Sequence, residues 1–221
     1  MNARQRILER LRATAPRHPG AAPDIAAHYA APPPPLDVRV GQFVSQLTAA
    51  HAEVIVSGAA GWADQAAQAL VRRGVRRLLA DWQEPSGQML ARALPAVERL
   101  SFDRPIEAWK AALFEGVDAG FSVADAAIAA TGTLVFRSGP RAPRTVSLVP
   151  PVHLALLPVE RLHADLHSAM IEDRWSGGLP TNLIMVSGPS KTADIQQTLA
   201  YGAHGPKELI VIVVVPEGAQ P

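Results

Sequence analysis

From Asp37 onward, short apolar runs alternate with amphipathic stretches, and this rhythm restricts the fold more than any other feature of the chain. Val40, Phe43, Val44 and Leu47 recur at helical spacing, and Val54-Ile55-Val56 then makes a short apolar strand. Gly58 and Gly61 form a turn, and a second helix over 63–73 is closed by Gly74 as its C-cap. A strand over 77–80, a helix over 87–94 and a weak strand near 97–102 follow. The next helix, 105–115, carries Pro105 in its first turn, where the missing N–H costs nothing. Short buried strands separated by helices are expected to form a parallel sheet covered on both faces.

The second half departs from this rhythm. Residues 118–136 alternate in places and end in Thr131-Gly132-Thr133-Leu134-Val135-Phe136. After the turn-rich Ser138-Gly139-Pro140-Arg141 comes a second apolar run, Thr145-Val146-Ser147-Leu148-Val149. Both read as strands joined by hairpin-like turns, so the expected class is α/β with a mixed, mostly parallel sheet flanked by helices. A helix over 159–170 is expected from Val159, Leu162, Leu166 and Ala169. A last βαβ unit is expected from a strand at 183–186, a helix at 192–201 and a strand at 209–215.

Ahead of this body lies a stretch of different composition. Ile7, Leu8 and Leu11 fit one face of a short helix over 3–12, and Pro32-Pro33-Pro34-Pro35 favours an extended spacer. Residues 1–35 are therefore expected to form a helical arm and Pro-rich linker, docking on the body or on a neighbour, and 36–221 one α/β domain. The formal net charge of +1 and the lack of a dense basic stripe argue against nucleic acid as a partner. With no cysteine, the chain cannot ligate an iron–sulfur cluster through thiolates. The sequence has neither a run of about 18 apolar residues nor an apolar leader after its first arginines, so a cytoplasmic protein without a membrane span is expected.

The strongest local signal is Ser187-Gly188-Pro189-Ser190-Lys191-Thr192-Ala193-Asp194-Ile195. If a helix opens at Thr192, its first amides and dipole, with the Ser190 and Thr192 hydroxyls and the Lys191 charge, make a cradle for phosphate or carboxylate. Ordinary helix capping by Ser190 or Thr192 is the competing reading. No glycine precedes the lysine, so this is not a nucleotide P-loop. A Thr131-Gly132-Thr133 turn presents two hydroxyls, or is simply a bulge. Pro150-Pro151 ends a strand and fixes His153, a general base or ligand anchor only if it has a partner. Arg141 and Arg144 are candidates for binding a carboxylate.

Other features carry less. His163 and His167 stand four apart on the expected helix, but Ala164 replaces the glutamate of the metalloprotease pattern, so an amphipathic border is the better reading. The Gly58–Gly61 turn, with Asp81 at the end of the next strand, is a partial dinucleotide fingerprint. A helix of about ten residues is roughly 15 Å long, which would place His204 at the sheet edge opposite the Gly188 loop.

Taken in order, four blocks resemble the LUD-domain family of the lactate-utilisation protein C type. They are Ala127-Ile128-Ala129-Ala130-Thr131-Gly132-Thr133-Leu134-Val135, Ser147-Leu148-Val149-Pro150-Pro151-Val152-His153, Gly188-Pro189-Ser190-Lys191-Thr192-Ala193-Asp194-Ile195 and Gly202-Ala203-His204-Gly205-Pro206-Lys207-Glu208-Leu209. The resemblance implies a NagB/RpiA/CoA-transferase-like fold. It also implies a part in oxidising L-lactate beside iron–sulfur cluster-bearing proteins, this chain binding a small anion or a partner's cofactor without a redox centre of its own. The ligand positions it implies are Thr131, Gly132, Thr133, His153, Gly188, Ser190, Lys191, Thr192 and His204. Ala130 departs from the family's usual glutamate. Two alternatives stand beside this reading: a stand-alone enzyme on a small phosphorylated or acyl substrate, and a regulatory or scaffolding module; a homo-oligomer is compatible with each.

Overall fold

A computed structural model describes residues 2–14, 24–193, 199–202 and 204–218. The chain divides into two compact units, Met1–Pro33 and Pro34–Pro221. The first holds α1 (Ala3–Thr14), on which Ile7 and Leu11 are exposed, and α2 (Ile25–His28), capped by the Asp24 carboxylate on the Ala27 amide.

The second unit runs α3 (Leu36–Ala49), β1 (Glu53–Gly58), α4 (Trp62–Arg72), β2 (Arg77–Leu79), α5 (Pro85–Ala93), β3 (Glu98–Leu100), α6 (Lys110–Gly116) and β4 (Ala119–Val123). It continues through β5 (Ala126–Ile128), β6 (Thr133–Arg137), α7 (Thr145–Leu148), β7 (Val152–Pro158), β8 (Leu162–His163) and α8 (Leu166–Glu172). It closes with β9 (Leu183–Val186), β10 (Lys191–Ala193), β11 (Leu199–Tyr201) and β12 (Glu208–Val215).

The α/β expectation holds: a central sheet in the order β1-β12-β7-β4-β2-β3 pairs in parallel throughout and is flanked by helices. The antiparallel pairs gather in a second sheet, β8-β5-β6-β9, and in the β10–β11 ladder. On one face of the central sheet, Leu70 of α4 and Leu90 of α5 pack on Leu78, Phe121, Leu154 and Ile210. On the other, Phe43 and Leu47 of α3 meet Leu157, Val211 and Val213, together with Leu134 and Phe136 of the small sheet. Leu154 and Leu157 of β7 are fully buried on opposite faces, each worth about 1.5–3 kcal/mol of apolar burial.

The order of connections creates a crevice. From β2 the chain steps outward to β3 through α5, then returns through α6 to β4 on the other side of β2. Leu90 of α5 and Leu113 of α6 belong to cores on opposite faces, so the winding reverses between β2 and β4. Such a reversal opens a gap above the carboxyl ends of the two strands.

Several expected elements differ. Residues 145–149, expected as a strand, begin with helix α7, which follows Pro143 and packs against β4. The prolines Pro150 and Pro151 precede β7 rather than ending a strand, and β7 itself, buried along nearly its whole length, has no polar alternation to mark it. The expected helix over 159–170 is instead a 3-10 turn (Val159–Arg161), then β8, then α8 capped by Asp165 on the Ser168 amide. The helix expected over 192–201 does not form where the chain is described: Lys191 pairs with Tyr201 and Ala193 with Leu199. The remainder of that expected helix lies outside the described residues.

Candidate functional site

One cleft, of about 220 Å³, lies at the amino ends of β7 and β12, on the face that carries the small sheet. Three segments distant in sequence meet there: Ser147 and His153, Ser187 to Ser190, and His204 to Pro206. Hairpin geometry closes it. The Gly202 amide donates to the Ser190 carbonyl at 2.9 Å, and the Ser190 amide donates to the Pro206 carbonyl at 2.8 Å. His204 therefore lines the same cleft as Gly188 and Ser190, and the expectation that it stands at the opposite sheet edge is corrected. That expectation required a helical crossing of about 15 Å, and an antiparallel return needs none.

The same ladder overturns the helix-start cradle. No helix begins at Thr192, so no dipole points at the Gly188 loop, and the Ser190 amide is already spent. Lys191 is exposed on β10 and does not line the cleft. Asp194 lies outside the described residues. Gly188, at φ +134°, serves packing: a Cβ there would come within 2.9 Å of the Ala50 Cβ at the end of α3.

Two buried polar residues line this cleft: Ser147, whose hydroxyl donates to the Arg144 carbonyl, and His153. His153 is fully buried on β7, its ring 5.2 Å from that of Phe136, and neither ring nitrogen has a hydrogen-bond partner among the described residues. Burial pushes its pKa from 6.5 down to about 4. At neutral pH it is an uncharged imidazole with one N–H to donate and one nitrogen lone pair to accept. Among the described residues, no protein group takes up either function.

Thr131, Gly132 and Thr133 stand beside the cleft rather than in it. The Thr131 and Thr133 hydroxyls are 2.7 Å apart, and that of Thr133 is 2.8 Å from Ser187 Oγ, which belongs to a cleft-lining residue. Gly132 is left-handed at φ +59° and presses on α3, where a Cβ would come within 2.7 Å of Gln46 Cβ.

The other sequence candidates resolve as structure. His163 is buried on β8, with Nδ1 2.9 Å from Glu172 and Nε2 3.4 Å from Asp173, while His167 lies on α8; the two are not on one helix. No group of three or more metal-binding side chains occurs among the described residues. β1 and β2 are separated by three strands, so Asp81 cannot serve the Gly58 turn as a ribose acid; it pairs with Arg141 at 2.9 Å. No helix among the described residues is long and apolar enough to cross a membrane.

Fold and cleft together define a parallel α/β protein with a second small sheet and a ligand-sized cleft at a buried histidine. Residues 40–214 match the model of the LUD domain, and the chain belongs to that family. An uncharacterised protein of Neisseria meningitidis serogroup B is 38% identical over 186 residues, covering 83% of this chain and 80% of that protein. Lactate utilization protein C of an Exiguobacterium species is 36% identical over 101 residues, covering 44% of each chain. The protein of that name from Oceanobacillus iheyensis is 35% identical over 104 residues, 45% of each chain. The chain thus aligns with less than half of these two relatives. A crystal structure of a DUF162 family protein from Deinococcus radiodurans has the same fold, with a TM-score of 0.60 at 22% identity, covering 83% of this chain and all of that one.

Proposed function

We propose that this chain is a subunit of an L-lactate utilisation system and binds a small 2-hydroxy carboxylate in the His153 cleft. The observation that carries the reading is a fully buried, uncharged histidine lining a cleft, with both ring nitrogens lacking a partner among the described residues. Burying a polar group left unpaired costs about 1–3 kcal/mol, a cost that a fitting ligand lowers. A hydroxy acid suits it: the hydroxyl donates to the imidazole lone pair, while the carboxylate turns to the other walls, because the two ring nitrogens point apart and one small acid cannot span them. Ser190 and His204 line the other walls and add polar contacts, while Gly188 holds the loop against Ala50.

The partial matches to lactate utilization protein C favour lactate as the hydroxy acid. With no cysteine, this chain takes the binding role, and iron–sulfur proteins that accompany it in the cytoplasm carry the electrons. Affinity capture of the full chain from its own cells tests the subunit role. Co-elution of proteins with the visible absorbance of iron–sulfur clusters is the expected outcome. A chain that always elutes alone from cells growing on L-lactate overturns it.

A further inference from the structure

A second cleft, of about 250 Å³, opens where the winding reverses, above the carboxyl ends of β2 and β4. Among the described residues, it shares Ser147 and Ile184 with the His153 cleft. Phe121, Phe136 and Ile184 give it apolar walls, and Arg137, Arg144 and Arg161 line it with positive charge.

The acids of this cleft are already engaged. Asp81 accepts from the Arg141 guanidinium at 2.9 Å and from the Gln83 amide at 3.0 Å. Glu84 caps α5, accepting from the Ser86 and Gly87 amides, so its carboxylate occupies the helix start that a phosphate would need. Asp125 accepts from the Arg137 amide at 2.7 Å.

The cations are not neutralised in the same way. Arg161 donates one N–H to the Ala124 carbonyl at 2.6 Å, which fixes its guanidinium against an uncharged group. Neither Arg161 nor the Arg137 guanidinium has a carboxylate partner among the described residues. The Arg144 guanidinium reaches an uncharged group, the Asn182 side-chain oxygen, at 3.5 Å.

We propose that the cleft above β2 and β4 is a second ligand site, which takes a small organic carboxylate on the Arg161 and Arg137 guanidiniums with its carbon chain against Phe136 and Phe121. A guanidinium presents parallel N–H donors that match a carboxylate, and one already held by a backbone carbonyl loses little freedom on binding. The apolar walls favour an acid with a carbon body over a bare inorganic anion. No ligand hydroxyl is required here, which distinguishes the ligand of this site from that of the His153 cleft.

Arginine Nε–H signals of the full chain, labelled with ¹⁵N-arginine, test this during titration with propionate, which has no hydroxyl. Saturable shifts at Arg161 and Arg137 are expected, with affinity falling about tenfold in Arg161→Gln or Arg137→Gln and partly kept in Arg161→Lys. Ser190→Ala, in the other cleft, leaves the titration unchanged, so failure of the His153 reading is scored separately. Inorganic phosphate is expected to bind several-fold more weakly than propionate. Phosphate binding as tightly as propionate, no saturable shift at either arginine, or variants with unaltered affinity would each overturn the proposal.

Discussion

Replacing His153 with leucine separates what this residue does for folding from what it does for binding. The two side chains are close in volume, so the change deletes two buried polar atoms while roughly keeping the packing between β7 and Phe136. Above pH 7 the variant is expected to be more stable by about 1–3 kcal/mol, because an unpaired buried donor and acceptor are gone. A second effect appears on acidification. The folded pKa of His153 is about 4 against an ordinary 6.5, so between these values the unfolded chain binds a proton that the folded chain refuses. Wild-type stability therefore falls as pH drops through 6.5, by about 2 kcal/mol at pH 5 and about 3 kcal/mol in all. The leucine variant lacks this term, while the other titrating groups are common to both chains. Urea unfolding of both at pH 7.5, 6 and 5 reads the difference directly. If the two lose stability in parallel, His153 is not buried uncharged in the folded state.

Three further outcomes follow from the geometry. Gly132→Ala places a Cβ on a left-handed residue against Gln46 and is expected to cost about 2–4 kcal/mol by urea midpoint. Thr133→Val breaks both hydroxyl contacts, to Thr131 and Ser187, at a cost of about 1–2 kcal/mol; a double-mutant cycle with Ser187→Ala should show coupling, and strict additivity would contradict the bond. Arg73 bridges Glu53 and Glu208, at 2.6 Å each, across the starts of β1 and β12; Arg73→Ala is expected to cost about 1 kcal/mol in low salt and less in 1 M salt.

Much of the first half was legible because each helix there buries a separate apolar stripe: Val40, Phe43 and Leu47 of α3 are all buried, as their spacing requires. Misreadings arose where tertiary contacts overrode local preference. Thr145 and Val146 favour strands, yet α7 is held against β4 with Val146 buried in a core shared with Leu113 of α6. β7 reads as a featureless apolar run because both its faces are covered. Ser190 and Thr192 are capping-type residues, but the backbone of 191–193 pairs across a hairpin.

At the site, His153, Gly188, Ser190 and His204 were recognisable one by one. What sequence reasoning lacked was the hairpin that folds residue 202 back onto Ser190 and brings them together. Asp81 and Arg141 each suggest a different ligand in the sequence, yet they bind one another. Arg137 and Arg161 carried no signal at all, since they become neighbours only when the ends of β6 and β7 converge on one cleft.

The most direct test of the His153 cleft is the ¹⁵N spectrum of its imidazole, recorded at pH 7 as L-lactate is added to the full chain. Before addition, the ring should show one protonated and one bare nitrogen, the pattern of a neutral tautomer. A saturable shift of the bare nitrogen toward values typical of a hydrogen-bond acceptor is the expected result, with propionate producing none. A spectrum that lactate leaves unmoved at saturating concentration, or one that propionate moves equally, would contradict the claim that this buried histidine receives a ligand hydroxyl.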